Sequence, residues 1–166
     1  MGSTALPQSA PASPARKLLA WLPTLLWLCV LAAFSTDLFS AEHTGSVLEK
    51  ILRALFGHVS QHTFQLVHFL IRKGAHFCSY GLLSAFAFFS WRATLPAFPR
   101  WTFRWSALAL LLVLIAASMD EFHQSFVSSR TGNWHDVALD FTGAFFFQGV
   151  IAFWVSWREG ARTPTV

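Results

Sequence analysis

The sequence predicts an all-α, polytopic membrane protein: a bundle of four transmembrane helices with one further amphipathic, interfacial helix. Three observations carry this. Only 12% of the 166 residues are charged, about half the roughly 25% usual in soluble domains. Four apolar stretches approach the length of a bilayer span, and polar or proline-bearing segments divide them. A fifth stretch keeps its apolar residues to one helical side. Eight Trp and eighteen Phe add more apolar surface than one soluble globule of this size can bury. The same composition excludes a soluble nucleic-acid binder. The net charge of +4 is small, and its basic residues gather near the ends of apolar runs, where they orient a chain in a bilayer.

Residues 1–15, MGSTALPQSAPASPA, have the Pro/Ala/Ser composition of a disordered tail. Arg16 and Lys17 then precede LLAWLPTLLWLCVLAAF, a run of span length. A basic flank and an apolar core also describe a signal peptide, but no small-x-small cleavage site follows. An uncleaved first span is expected, kinked near its start by Pro23. In GSVLEKILRALFGHV, residues 45–59, Val47, Leu48, Ile51, Leu52, Leu55, Phe56 and Val59 share one side, and Glu49, Lys50 and Arg53 take the other. Such a helix lies in the interface or packs on top of the bundle.

The second span starts near Lys73, in KGAHFCSYGLLSAFAFFSW. A helix beginning at Gln61 would be roughly 45 Å long, beyond the roughly 30 Å hydrocarbon core. Arg72 and Lys73 therefore mark the interface, and HTFQLVHFLI packs above it or along it. ATLPAFPR is a short loop before the third span, 103–119, and the fourth span covers 137–157. Residues 16–158 make one membrane domain, and 159–166 a short tail. Cys29 and Cys78 lie in apolar runs without CxxC spacing, which speaks against a disulfide framework or structural zinc. Arg92, Arg100 and Arg104 in the second loop outnumber Arg130 in the third. Both termini are thus expected in the cytoplasm, with residues 120–140 on the outer side.

Half of the chain's eight acidic residues fall in DEFHQSFVSSRTGNWHDVALD, from Asp120 to Asp140. Lys73, His76 and Tyr80 share one face of the second span, and Asp136, Asp140 and Gly143 repeat that spacing on the fourth. Asp120, Glu121 and Gln124 close the third. All three groups lie at the outward ends of their helices. Polar groups at membrane depth normally face the bundle interior, so one charged, outward-opening pocket is expected. Asp136, opening a helix, also suits a capping role. Asp120 and Glu121 sit at the dipole end that disfavours an anion. Either the helix continues through Phe126, or a cation such as Lys73 or Arg130 compensates. His76 and His123 beside two carboxylates form a possible metal-ligand set, although no recognised ligand motif is present.

RKGAHFCSYGLL (Arg72–Leu83) resembles the RK-x-AHF-x-x-Y-x-x-L motif of VanZ-like membrane proteins. DEFHQSFVSSRTGNWHDVALDFTGA resembles that family's second signature, DE-x-x-Q-x-F-x-x-x-R-x-G-x-x-x-D-V-x-x-D-x-x-GA. The resemblance carries over Lys73, His76, Tyr80, Asp120, Glu121, Gln124, Arg130, Asp136, Asp140 and Gly143. It implies a multi-pass protein of the bacterial cytoplasmic membrane. The family's namesake is linked to low-level teicoplanin resistance. Ser128 and Ser129 stand where the family often has Pro-Gly, and Phe145 to Gln148 precede Gly149 where a second glycine usually comes sooner. Asp140 matches one branch, while others carry Asn.

Two functions are open at this point. In one, the pocket is catalytic: Glu121 or Asp120 is a general base, His76 relays a proton, and Lys73 and Arg130 hold an anionic headgroup. No Ser or Cys with an adjacent base is visible, which argues against acyl-enzyme chemistry. In the other, Lys73, Tyr80, Gln124, Arg130, Asp136 and Asp140 line a site that binds without reacting. The expected partners are membrane lipids, a lipid-linked envelope precursor or a lipoglycopeptide, with no nucleic acid. A small oligomeric transporter is the weaker reading, because no pair of broken half-spans is present. The sequence specifies no cofactor.

Overall fold

The computed structural model describes residues 13–36, 41–95, 102–126 and 133–160, and all of their regular structure is helical. In chain order the helices are α1 (Pro14–Phe34), α2 (Ala41–Phe56), α3 (Gln61–Thr94), α4 (Phe103–Gln124) and α5 (Trp134–Gly160). Three of them, α1, α4 and α5, are long and apolar enough to cross a membrane. The polar and small residues of α3, from His76 through Ser90, keep its hydropathy below theirs.

The question left open over residues 61–71 is answered by a single continuous helix of 34 residues. Ser60 caps it, its hydroxyl accepting the Thr63 N–H at 3.1 Å. Some 12 residues therefore precede Lys73, an extension of about 18 Å. α2 rests on this extension through Thr44 Oγ1 and His68 Nε2, 3.3 Å apart. It begins earlier than the apolar pattern suggested and stops at Phe56, because Gly57 takes a positive φ of 70° and ends the helix. Val59 lies beyond it. α1 starts at Pro14 rather than Arg16, with Ser13 as its cap.

α3 is the hub: α1, α2, α4 and α5 all pack on it, and α4 also meets α5. Tyr80, Leu83, Val113, Ala117 and Ala144 form the core near the end that bears Lys73, which we call the polar end. Phe88, Trp105, Ala109, Ile151 and Val155 form the core toward the other end. There Trp21 meets Trp91 edge-on with centroids 4.6 Å apart, and Arg158 lies over the Trp154 ring at 4.3 Å. Aromatic rings with basic partners at a bundle end are the composition of a membrane interface.

Serines and small residues let these helices approach closely, since van der Waals packing and interhelical hydrogen bonds replace the hydrophobic effect in lipid. Ser90 Oγ donates to Ala20 O at 2.7 Å and lies 2.8 Å from Thr24 Oγ1. It thus supplies a donor beside Pro23, whose ring removes one from α1. Gln148 Nε2 donates to Ser84 O at 2.9 Å, fastening α5 to α3. The missing second glycine after Gly143 does not loosen this contact. Phe147 lays its ring on Gly81, where an added Cβ would overlap the ring and come within 2.9 Å of its Cγ. At this contact the glycine is on α3 and the bulky ring on α5. Gly81→Ala is expected to lower the melting temperature in detergent, and Phe147→Leu in the same chain to recover most of the loss. A melt unchanged by Gly81→Ala would contradict this packing.

Candidate functional site

The sequence-predicted polar residues of α3, α4 and α5 do converge at one end of the bundle. Lys73 Nζ pairs with Asp136 Oδ1. One turn deeper, His76 Nδ1 lies 3.3 Å from Asp140 Oδ1. The i, i+3 step on α3 thus faces the i, i+4 step on α5 as two rungs. Gly143 comes next, and here the helices nearly touch: a Cβ on Gly143 would overlap the Phe77 carbonyl oxygen and stand 2.9 Å from its carbonyl carbon.

On the α4 side, Tyr80 OH and Gln124 Nε2 each donate to Asp120 Oδ2 at 3.0 Å. Glu121 Oε2 accepts the Asn133 backbone N–H at 2.7 Å. Both acids at the α4 terminus are therefore held by neutral donors. The expected compensation by Lys73 is not what the structure shows, because Lys73 reaches across to Asp136 instead. The helix ends at Gln124, so it does not continue through Phe126 either. Asp136 is not the cap of α5. Asn133 does that work, its side-chain oxygen accepting the His135 N–H at 3.1 Å. Asp136 stands in the first turn, where a carboxylate is favoured by the dipole and free to take a cation. Removing Lys73 or Asp136 singly should destabilise. A Lys73→Ala/Asp136→Ala cycle should show coupling of about 1 kcal/mol, since both side chains remain partly exposed. Strict additivity in thermal melts would mean the pair is not formed.

Asp140 is fully buried, and Glu121 is 6% exposed. Among the described residues, both carboxylate oxygens of Asp140 and Glu121 Oε1 lack a hydrogen-bond donor. The 3.3 Å approach of His76 Nδ1 to Asp140 is thus a close charge–dipole contact without hydrogen-bond geometry. Arg130, with Ser128 and Ser129, lies outside the described residues. No group of three His, Cys, Asp or Glu side chains among the described residues is placed to hold a metal ion. The two histidines offered as joint ligands take separate partners: His76 faces Asp140, and His123 Nδ1 lies 3.1 Å from Ser35 Oγ.

That last contact corrects a further expectation. A serine does sit beside a histidine, but 88 residues separate them in the chain, so no local motif announces the pair. Ser35 ends α1 and His123 lies in the last turn of α4, so the contact ties these two helices at the polar end. Trp27 Nε1, which donates to Ser79 O at 2.9 Å, is another tie from α1 that no local pattern announces.

Two clefts adjoin this polar end. One, of about 320 Å³, lies among α1, α2, α3 and α4, with His68, Arg72, His76, Tyr80, Asp120 and Gln124 among its polar lining. The other, of about 530 Å³, opens between α1 and α4. Leu31, Ser35, Tyr80 and Asp120 line both, so the clefts meet at a shared wall. Both are mainly apolar, as ligand sites usually are, with a few convergent polar groups. Glu121, Asp136 and Lys73 line neither cleft. The pocket read from the sequence as one is therefore a packed polar cluster beside two clefts; of the nominated residues that the structure describes, His76, Tyr80, Asp120, His123 and Gln124 reach the open space.

Three long apolar helices around a polar-faced central helix define a helical membrane protein whose polar cluster is built between spans. The chain belongs to the VanZ/LLP1 family, whose model matches residues 18–155. No curated protein and no solved structure matches it.

Proposed function

We propose that this protein binds a cell-envelope lipid, or a lipid-linked ligand, in the two clefts that meet at Tyr80 and Asp120. The observation that carries the reading is their shared wall: a mainly apolar lining ends on a carboxylate held by Tyr80 and Gln124. An acyl chain enters such a cleft sideways from the bilayer, and the polar wall reads what is attached to it. α3 is then the remaining span, from about Lys73 to Arg92. Its polar face is tolerable in lipid because α1, α4 and α5 cover it. Four crossings put both termini on one side of the bacterial cytoplasmic membrane, the cytoplasmic one, with the polar end outward.

Photoactivatable phospholipids test the reading. Their crosslinks are expected to concentrate on cleft residues such as Leu28, Leu31 and Met119. Crosslinks spread evenly over the exposed faces of α4 and α5 would overturn it. At the level of the cell, expression in a teicoplanin-susceptible bacterium is expected to shift teicoplanin susceptibility more than that of vancomycin. Asp120→Asn at equal membrane levels should remove the shift.

One observation favours a catalytic version of the same site. The His76 ring lines a cleft while its Nδ1 edge is turned to the buried Asp140 carboxylate, the arrangement that orients an imidazole as general base. Glu121, bonded to Asn133 at the start of α5 and lining neither cleft, is better placed to hold that helix end than to take a substrate proton. A reaction on a bound lipid should then be lost in His76→Gln while lipid crosslinking persists.

A further inference from the structure

The cleft between α1 and α4 has an uneven charge that bears on what it takes. Leu28, Leu31 and Ala32 form one wall, and Leu112, Ala116 and Met119 the other. At the polar end stand Ser35, Tyr80, Asp120 and His123. Among the described residues, Asp120 is the one carboxylate that lines this cleft, and no lysine or arginine does. Its Oδ2 already accepts two neutral donors, the Tyr80 hydroxyl and the Gln124 amide. These fix the carboxylate in place without neutralising it. His123 is turned to Ser35. The Lys73 ammonium, which sequence reasoning assigned to an anionic headgroup, is taken by Asp136 and lines neither cleft.

From this geometry we infer that the α1–α4 cleft selects a membrane lipid whose headgroup carries a primary ammonium, with Asp120 as its counter-ion. Three properties meet in that occupant. A hydrocarbon chain matches the walls. A cation matches the single carboxylate in surroundings where low dielectric strengthens the attraction. An N–H donor forms a charge-assisted hydrogen bond with the carboxylate, which a quaternary ammonium cannot do. An anionic headgroup in this cleft would meet Asp120 with the same sign of charge, and no described lysine or arginine of its lining would offset it; Arg72 stands in the adjoining cleft. The inference rests on the lipid-binding reading above and specifies its headgroup chemistry.

The test is spin-label EPR on the full chain in phosphatidylcholine vesicles, with a nitroxide near the end of one acyl chain of the probe lipid. Spin-labelled phosphatidylethanolamine, phosphatidylcholine and phosphatidylglycerol are compared through the motionally restricted fraction. Phosphatidylethanolamine is expected to associate about fivefold more strongly than phosphatidylglycerol, with phosphatidylcholine between them. Asp120→Asn should bring the ratios to about one by removing the counter-ion.

Ala116→Trp, at a partly exposed position one turn before Asp120, fills the cleft between its apolar walls while keeping the carboxylate and should also abolish the preference. It covers the case in which Asp120→Asn fails to fold. Preference for phosphatidylglycerol would overturn the inference, and so would an ethanolamine preference that survives either variant. Equal association of all three lipids, with crosslinks still concentrated in the clefts, would refute the headgroup selection alone. Crosslinks that avoid the clefts would refute the lipid-binding reading beneath it.

Discussion

Gly143→Ala is expected to cost this protein more stability than any other single methyl group added to its helices. The new Cβ would overlap the carbonyl oxygen of Phe77. This is backbone inside a continuous helix, so it cannot swing aside as a side chain would. Relief requires α3 and α5 to separate along their whole contact, which carries both polar rungs and the Gln148–Ser84 hydrogen bond. Overpacking of a well-filled contact costs about 1–3 kcal/mol, and the upper end is expected here. Gly149→Ala is the matched control, since nothing lies within 4 Å of a Cβ there. Thermal melts in detergent should show a large fall for the first and almost none for the second. Equal falls would mean that helix packing does not depend on Gly143.

The second large effect concerns Asp140. It is fully buried with its Oδ1 3.3 Å from His76 Nδ1, so Asp140→Ala leaves a cavity and removes the carboxylate that faces the imidazole. A loss of about 2 kcal/mol is expected, and less for Asp140→Asn, which preserves volume and an acceptor oxygen. The double variant His76→Phe/Asp140→Leu separates stability from function. Replacing both members of a buried pair by apolar residues is often neutral or stabilising. Its melting temperature should therefore return near that of the wild type, while the general-base chemistry assigned to His76 should not. A double variant less stable than Asp140→Ala would show that the pair itself, and not the orphaned partner, holds α3 to α5.

The helical character, the apolar α1, α4 and α5 and the residues of the polar cluster were all legible in the sequence, because each depends on local periodicity. Helical spacing alone places Lys73, His76 and Tyr80 on one face, and a polar face on an apolar helix has to turn inward. The end of α2 was less legible: the apolar pattern ran to Val59, but Gly57 in a left-handed conformation stops the helix first. The start of α3 was left open by the sequence, because helical spacing over residues 61–71 does not say whether the segment joins the helix that follows. The structure makes it one helix from Gln61, with α2 resting on the added length.

Partner choice inside the cluster was decided only by the tertiary structure. The sequence gathered four carboxylates, a lysine and two histidines at one end of the molecule, but residue type does not say which cation meets which anion. That depends on the relative height of the helices. The Gly143–Phe77 approach brings α5 against α3, and with it Asp136 comes to Lys73 and Asp140 to His76. Asp120 and Glu121 are left to Tyr80, Gln124 and the Asn133 amide. The Ser35–His123 bolt and the clefts beside it are properties of helices distant in the chain, so no local pattern encodes them. The sequence by itself determined which residues must leave the lipid; close packing at a glycine decided which of them meet.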